Sequence, residues 1–153
     1  MAARTRARVL MFGRSPDAAL RASEVSSSWP DRLKLTVTYE QESVRVHTRL
    51  VGEHWTTSVL AAMACGIVCG ADLRTCANEV EKVKPVFGRY SIHGKRGGPV
   101  YILDSWKAPL WTIASALTFI AQARACRKTI VFGTLSDMPG ASSPKYRRVA
   151  REA

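Results

Sequence analysis

Hydrophobic positions along the chain change period several times, and each change marks a different kind of element. Val9, Leu10, Met11 and Phe12 form one continuous apolar run before Gly13, the pattern of a short strand over residues 7–12. Residues 14–31 are polar and carry Pro16, Pro30 and Ser26-Ser27-Ser28, so most of this stretch reads as loop. Leu33, Leu35, Val37 and Tyr39 then alternate with polar neighbours, and Val44, Val46, Thr48 and Leu50 repeat the alternation. Glu40-Gln41-Glu42 between the two runs predicts a hairpin, though one without the glycine of a tight turn.

From Trp55 to Cys69 the period becomes helical. Leu60, Met63, Ala64, Ile67 and Val68 recur at helix spacing, and Gly70 is a natural stop. Asp72 is placed to cap a second helix running from Leu73 to about Val83, which Pro85 ends. Two strands follow, at 89–93 and 99–103, around the turn Gly94-Lys95-Arg96-Gly97-Gly98. Leu110, Ile113, Ala116, Leu117 and Ile120 then share one face of a helix from Pro109 to Arg124. Lys128 to Phe132 is short and β-branched, the signature of a parallel strand, and residues 144–152 predict a last helix. The order strand, helix, strand, helix in this half is the grammar of a nucleotide-binding-like parallel sheet, so the fold class is α/β. Lys84-Pro85-Val86-Phe87-Gly88 is the best boundary, dividing the chain into 1–84 and 85–153.

Composition narrows the class. The 153 residues are 46% hydrophobic, enough for a packed core and against wholesale disorder. A net charge of +11 favours polyanions in general. The cations are dispersed, however: Arg4, Arg6 and Arg8 at the N-terminus, Arg124, Arg127 and Lys128 after a helix, and Lys145, Arg147, Arg148 and Arg151 on the last one. Aromatic residues are not interleaved with them, so nucleic acid is not the expected partner, although a small basic polyanion-binding protein stays as the alternative. A third reading is an interaction module pairing through an exposed sheet edge. Cys65, Cys69, Cys76 and Cys126 include no Cys-x-x-Cys, which argues against zinc. Cys65 and Cys69 lie four apart on an apolar helix face and read as buried small hydrophobes. No stretch is long enough to span a bilayer and no signal-peptide pattern is present, so a cytoplasmic, reduced protein with no membrane partner is expected.

Three segments carry the candidate chemistry, in a fixed order. Gly52-Glu53-His54-Trp55-Thr56-Thr57-Ser58 opens the Ala-rich helix, Lys84-Pro85-Val86-Phe87-Gly88-Arg89-Tyr90 spans the boundary, and Leu103-Asp104-Ser105-Trp106-Lys107-Ala108 ends a strand. The set resembles the Mur ligases, the ATP-dependent enzymes that join amino acids to peptidoglycan precursors, and their cyanophycin-synthetase-like relatives. Gly52, His54, Leu60, Ala61 and Ala62 match the family's Gly-x-His-Asn-x-x-Asn helix, with Trp55 and Ser58 in place of the asparagines that contact adenine. Gly88 and Arg89 match Pro-x-x-Gly-Arg, whose arginine approaches the nucleotide, with Ser91 where the family has an acid. Asp104, Ser105 and Ala108 match Asp-Asp-Ser-Tyr-Asn-Ala, whose aspartate helps bind ribose; Trp106 replaces the tyrosine and Lys107 an asparagine. Val131 to Met138 is a weaker fourth likeness.

The resemblance implies the end of a Mur-type central ATPase domain followed by a partial Rossmann-like C-terminal domain. It implies ATP and Mg2+ as cofactors and His54, Arg89, Asp104 and Lys107 as nucleotide-facing residues. Gly-x-x-x-x-Gly-Lys-Ser/Thr occurs nowhere in the sequence. The expectation is therefore a truncated or degenerate ligase relative, inactive alone, that complements a separate chain carrying the phosphate loop and acceptor domain. The bland alternatives are that His54 and Thr56 merely cap their helix, that Arg89 is a solvated strand arginine, and that Asp104 caps a turn.

Overall fold

The computed structural model describes residues 6–7, 9–137 and 140–152; Arg4, Arg8 and Met138 lie outside that set. Its internal contacts divide the chain into two compact units. One comprises residues 1–27 and 32–83, the other residues 28–31 and 84–153.

The first unit is built on a four-stranded sheet in the order β1 (Phe12–Gly13), β2 (Leu20–Ser26), β3 (Lys34–Tyr39), β4 (Glu42–His47). β1 runs parallel to β2, and the other pairs are antiparallel. Leu20 and Ala22 of β2, Leu35 and Val37 of β3 and Val46 of β4 are buried on one face. The polar face carries Thr36, which donates to Glu24, and the Thr38–Ser43 hydroxyl pair. This alternation is the period-2 pattern of a sheet with one wet side. Helices α1 (Thr56–Val68) and α2 (Leu73–Lys82) cover the apolar face, contributing Leu60, Met63, Leu73, Cys76 and Val80 to one core with the strands. Each large side chain fully buried there is worth roughly 1.5–3 kcal/mol. Asp72 caps α2, its carboxylate accepting from the Thr75 N–H at 2.8 Å. At the edge strand, the His47 N–H donates to the Glu81 carboxylate at 2.7 Å and ties α2 to the sheet.

Several expectations need correcting here. Residues 14–31 are loop for the most part, but they also hold an unexpected strand, β2 at Leu20–Ser26. Its register slips between Ser23 and Ser26 while Glu24 takes φ 48°. A bulge of this kind breaks the alternation by which a strand is recognised. Among the described residues of the run 7–12, the strand assignment is confined to Phe12, at the start of β1. The β3–β4 turn closes on two residues, with Glu40 supplying a φ of 54° that glycine usually provides. Cys65 and Cys69 are exposed; Cys76, on the inner face of α2, is the buried thiol.

In the second unit, β5 (Ser91–Gly94) and β6 (Val100–Leu103) form an antiparallel hairpin. A 3-10 turn at Leu110–Thr112 leads into α3 (Ile113–Gln122), and α4 is Ser143–Glu152. Ile113, Leu135 and Val149 form a small core, with Leu117 and Tyr146 packed on it. The segment 28–31 is bound into this unit. Ser28 donates to the Gln122 carbonyl at 2.6 Å, the Arg124 N–H donates to the Trp29 carbonyl at 2.9 Å, and the Arg124 side chain pairs with Asp31.

The expected parallel strand at Lys128–Phe132 does not form. Among the described residues of this unit, parallel pairing is limited to one bridge, Pro109 with Ser136. Val131 is 90% exposed, and an apolar β-branched run settles as a buried strand only when both its faces are covered. Lys128 instead donates to the Ala121 carbonyl in the last turn of α3, the dipole-complementing role open to a cation after a helix. Among the described residues no helix is long and apolar enough to cross a membrane.

Candidate functional site

The candidate residues divide between the units: His54 belongs to the first, and Arg89, Asp104 and Lys107 to the second.

His54 sits in a 3-10 turn, Glu53–Trp55, directly before α1. Gly52 precedes it at φ 99°, and its N–H donates to the buried Ser27 hydroxyl at 2.7 Å. A Cβ on Gly52 would come within 2.4 Å of the imidazole Cε1, so glycine is required for the ring to fold back over the backbone. Desolvation there holds the imidazole pKa below its usual value, favouring the neutral ring. Thr56 does not cap α1. The N-cap is Trp55 without a side-chain bond, and Thr56 donates its hydroxyl back to the Glu53 carbonyl at 2.6 Å. Trp55 packs against the core, with its indole N–H buried and without an acceptor. A ring engaged this way is not presented for stacking on a base.

Around Gly88 the second and third motifs meet. Val86–Arg89 is a tight turn closed by the Arg89 N–H on the Val86 carbonyl at 3.0 Å, with Gly88 at φ 72°. Positive φ at the third residue of a turn favours glycine there. The Gly88 carbonyl accepts from the Ser105 N–H at 3.0 Å and the Trp106 N–H at 3.4 Å. Those bonds continue the hairpin register, in which Ser91 pairs with Leu103. Arg89 thus lies in the turn before β5 rather than on the strand, and Asp104 follows the last residue of β6.

The Arg89 guanidinium lies over the Trp106 ring, 5.7 Å from its centroid, a cation–π geometry. It forms no contact ion pair with Asp104, although its charge is felt there. Desolvation pushes the Asp104 carboxyl up from its usual value, and Arg89 opposes that push. Neighbouring Tyr90 is buried at φ 51°, its ring edge-on to Phe119, and its hydroxyl is pushed well above the ordinary phenol range by burial and then by the Asp104 charge. Asp104 also borders a cleft of about 400 Å³ between β6, α3 and residues 125–132, walled by Ile102, Ile113, Ala116 and Phe119. Lys107 is committed elsewhere, its ammonium 2.9 Å from the Asp137 carboxylate.

Structure therefore brings Arg89 and Asp104 to one place, diverts Lys107 to Asp137 and places His54 in the other unit. Sequence reasoning missed Ser91. It registered as a missing acid, yet its hydroxyl accepts the Gly88 N–H at 2.9 Å and contacts His93 Nε2 at 2.9 Å. The period-2 spacing of Ser91 and His93 on one strand face was the available signal. Among the described residues no group of three His, Cys, Asp or Glu side chains is arranged to hold a metal.

Taken together, the sheets and helices are an α/β fold of the Mur-ligase kind. No protein-family model matches the chain. Among solved proteins, the MurF ligase of Thermotoga maritima, in complex with ADP, matches 94% of this chain with a TM-score of 0.76 at 12% identity. MurF from Acinetobacter baumannii matches 72% of it with a TM-score of 0.64 at 22% identity. The Thermotoga maritima UDP-N-acetylmuramate-alanine ligase MurC matches 74% with a TM-score of 0.62 at 20% identity. The chain spans 32%, 24% and 26% of those three proteins respectively.

Proposed function

We propose that this chain is a Mur-ligase-like relative whose second unit presents a nucleotide-facing surface built on Arg89 and Asp104. On this reading the two units correspond to the end of the central domain and the start of the C-terminal domain. The parent activity is ATP-dependent ligation of an amino acid or peptide to a carboxylate acceptor.

The observation that carries this is the pair of bonds from Ser105 and Trp106 to the Gly88 carbonyl, which set a guanidinium beside a carboxylate that it does not neutralise by contact. A nucleotide fits that donor set in part. Arg89 offers paired N–H donors to phosphate or ribose oxygens. Asp104, at the end of β6, accepts from ribose hydroxyls, and its partial desolvation strengthens such bonds. Bound ATP supplies the phosphoryl group that activates a carboxylate for attack by an amine. This chain's own residues orient the nucleotide and supply no cradle for the transferred phosphate. No magnesium ligands are assigned to it, and Lys107 would have to leave Asp137 before it could reach a phosphate.

The 153 residues alone should accordingly release no phosphate from ATP, with a second chain that carries the phosphate loop and acceptor domain completing the catalytic set. Phosphate release with magnesium and varied acceptors tests this directly. Turnover by the isolated chain that Asp104→Ala abolishes would overturn it.

A further inference from the structure

We propose that Ser91 and His93 are positioning residues for this site, linked in a relay, His93–Ser91–Gly88, that fixes the turn from which Arg89 projects. The proposal rests on the nucleotide-facing reading above.

The relay follows from hydrogen-bond accounting. Ser91 is 5% exposed, so its hydroxyl must find its partners within the protein. Its oxygen accepts the Gly88 N–H at 2.9 Å. Its own proton then needs an acceptor, and His93 Nε2 stands 2.9 Å away. The arrangement that satisfies the hydroxyl is O–H donation to an unprotonated Nε2, which puts the ring proton on Nδ1. Phe87, the residue before Gly88, meets the His93 ring edge-on with centroids 5.4 Å apart, so the imidazole is held by the same turn that it helps to fix.

Gly88 is consequently clamped from both sides. Its N–H is taken by Ser91, and its carbonyl by Ser105 and Trp106. Arg89 is the next residue, and its guanidinium rests on the Trp106 ring. Releasing the Gly88 N–H loosens the Phe87–Gly88 peptide at the centre of the turn, one peptide before Arg89, while the Gly88 carbonyl still anchors Trp106. Ser91 and His93 touch neither Arg89 nor Asp104 through their side-chain bonds and act through the Phe87–Gly88 turn. A Ser–His nucleophile is a poor alternative, because the oxygen is buried and already accepts the Gly88 N–H.

The test uses the whole chain, labelled for NMR, with ADP as probe. Ring current from Trp106 displaces the Arg89 side-chain resonances, and Trp106→Leu identifies that displacement. Ser91→Ala is expected to erase most of it, to speed Gly88 amide exchange about tenfold and to weaken ADP binding by a similar factor. Ser91→Thr, which keeps the hydroxyl, should restore all three within about twofold. His93→Gln, which keeps an acceptor, should resemble wild type, whereas His93→Leu should resemble Ser91→Ala. The His93 pair decides the matter even if Ser91→Ala fails to fold. Unchanged Arg89 shifts and Gly88 exchange in folded Ser91→Ala, or identical behaviour of His93→Gln and His93→Leu, would overturn the relay. Wild-type protein that ignores ADP would sink the nucleotide reading instead, and the shifts and exchange rates would still judge the relay.

Discussion

The α-carbon of Gly88 lies against the indole of Trp106: a Cβ built on it would approach Trp106 Cδ1 to 2.7 Å and the Ser105 hydroxyl to 3.1 Å. Glycine is therefore required twice at this position, by backbone angle and by lack of room.

Gly88→Ala should thus cost more than positive φ alone. Gly97, at φ 77° with open space around it, isolates the backbone term. Gly97→Ala is expected to lose about 1 kcal/mol and Gly88→Ala about 2–3 kcal/mol. Urea unfolding compares them, and the excess should shrink when Trp106 is also made Ala. Equal losses at the two glycines would show that the indole yields freely.

Arg89→Ala and Asp104→Ala should each weaken binding of an ATP analogue with little change in melting temperature. The two side chains make no contact ion pair, so removing either should change stability by only ~0–1 kcal/mol. Calorimetry on wild type and both variants measures the binding. Without a phosphate loop, wild-type affinity should be no better than roughly millimolar. Micromolar affinity would mean that the chain grips nucleotide by contacts other than these.

Acid sensitivity should report the α2 cap. The Thr75 backbone and hydroxyl bonds hold the Asp72 carboxyl below its ordinary value of 3.8. A carboxyl depressed in the folded state adds stability above the unfolded value, and that stability is lost as pH falls through the lower folded value. Asp72→Asn should therefore flatten the fall in melting temperature below about pH 4. A fall as steep as that of wild type would place the acid sensitivity in other groups.

Thiol labelling should separate the cysteines cleanly. Cys65, Cys69 and Cys126 are exposed, whereas Cys76 is buried, with its thiol pushed up by desolvation and then by the nearby Asp72 charge. Iodoacetamide followed by mass spectrometry should add three groups to the folded chain and the fourth, on Cys76, only after denaturant. Early modification of Cys76 would contradict the packing of α2 onto the sheet.

Legibility in the sequence followed how local each determinant was. Leu35 and Val37 against Val44 and Val46 announced β3 and β4, and the α1 and α2 boundaries followed from Gly70, Asp72 and Pro85. β2 was hidden because its bulge at Glu24 breaks the period that Leu20 and Ala22 begin. The run 128–132 misled for the opposite reason. Its composition is that of a strand, but pairing depends on a neighbour that no local pattern reveals. Cys65 lies in, and Cys69 directly after, a helix whose apolar residues extend all round, so spacing did not show which face was inner. At the site, motif order placed Arg89 near Asp104, because a short hairpin fixes register. The diversion of Lys107 to Asp137, thirty positions on, and the Ser91–His93 bond are tertiary facts with only weak local traces.

The membership of residues 28–31 bears on how this chain can be dissected. Because Ser28 and Trp29 satisfy the last carbonyl of α3 and the N–H of Arg124, a gene cut cleanly after Val83 would not yield an intact second half. The excised piece would leave the Gln122 carbonyl, the Arg124 amide and the Arg124 guanidinium looking for substitutes. A short peptide spanning the missing stretch, added in trans, should then act as a folding cofactor for it. In this chain the covalent order and the order of assembly are different things, and a four-residue loan from one half completes the other.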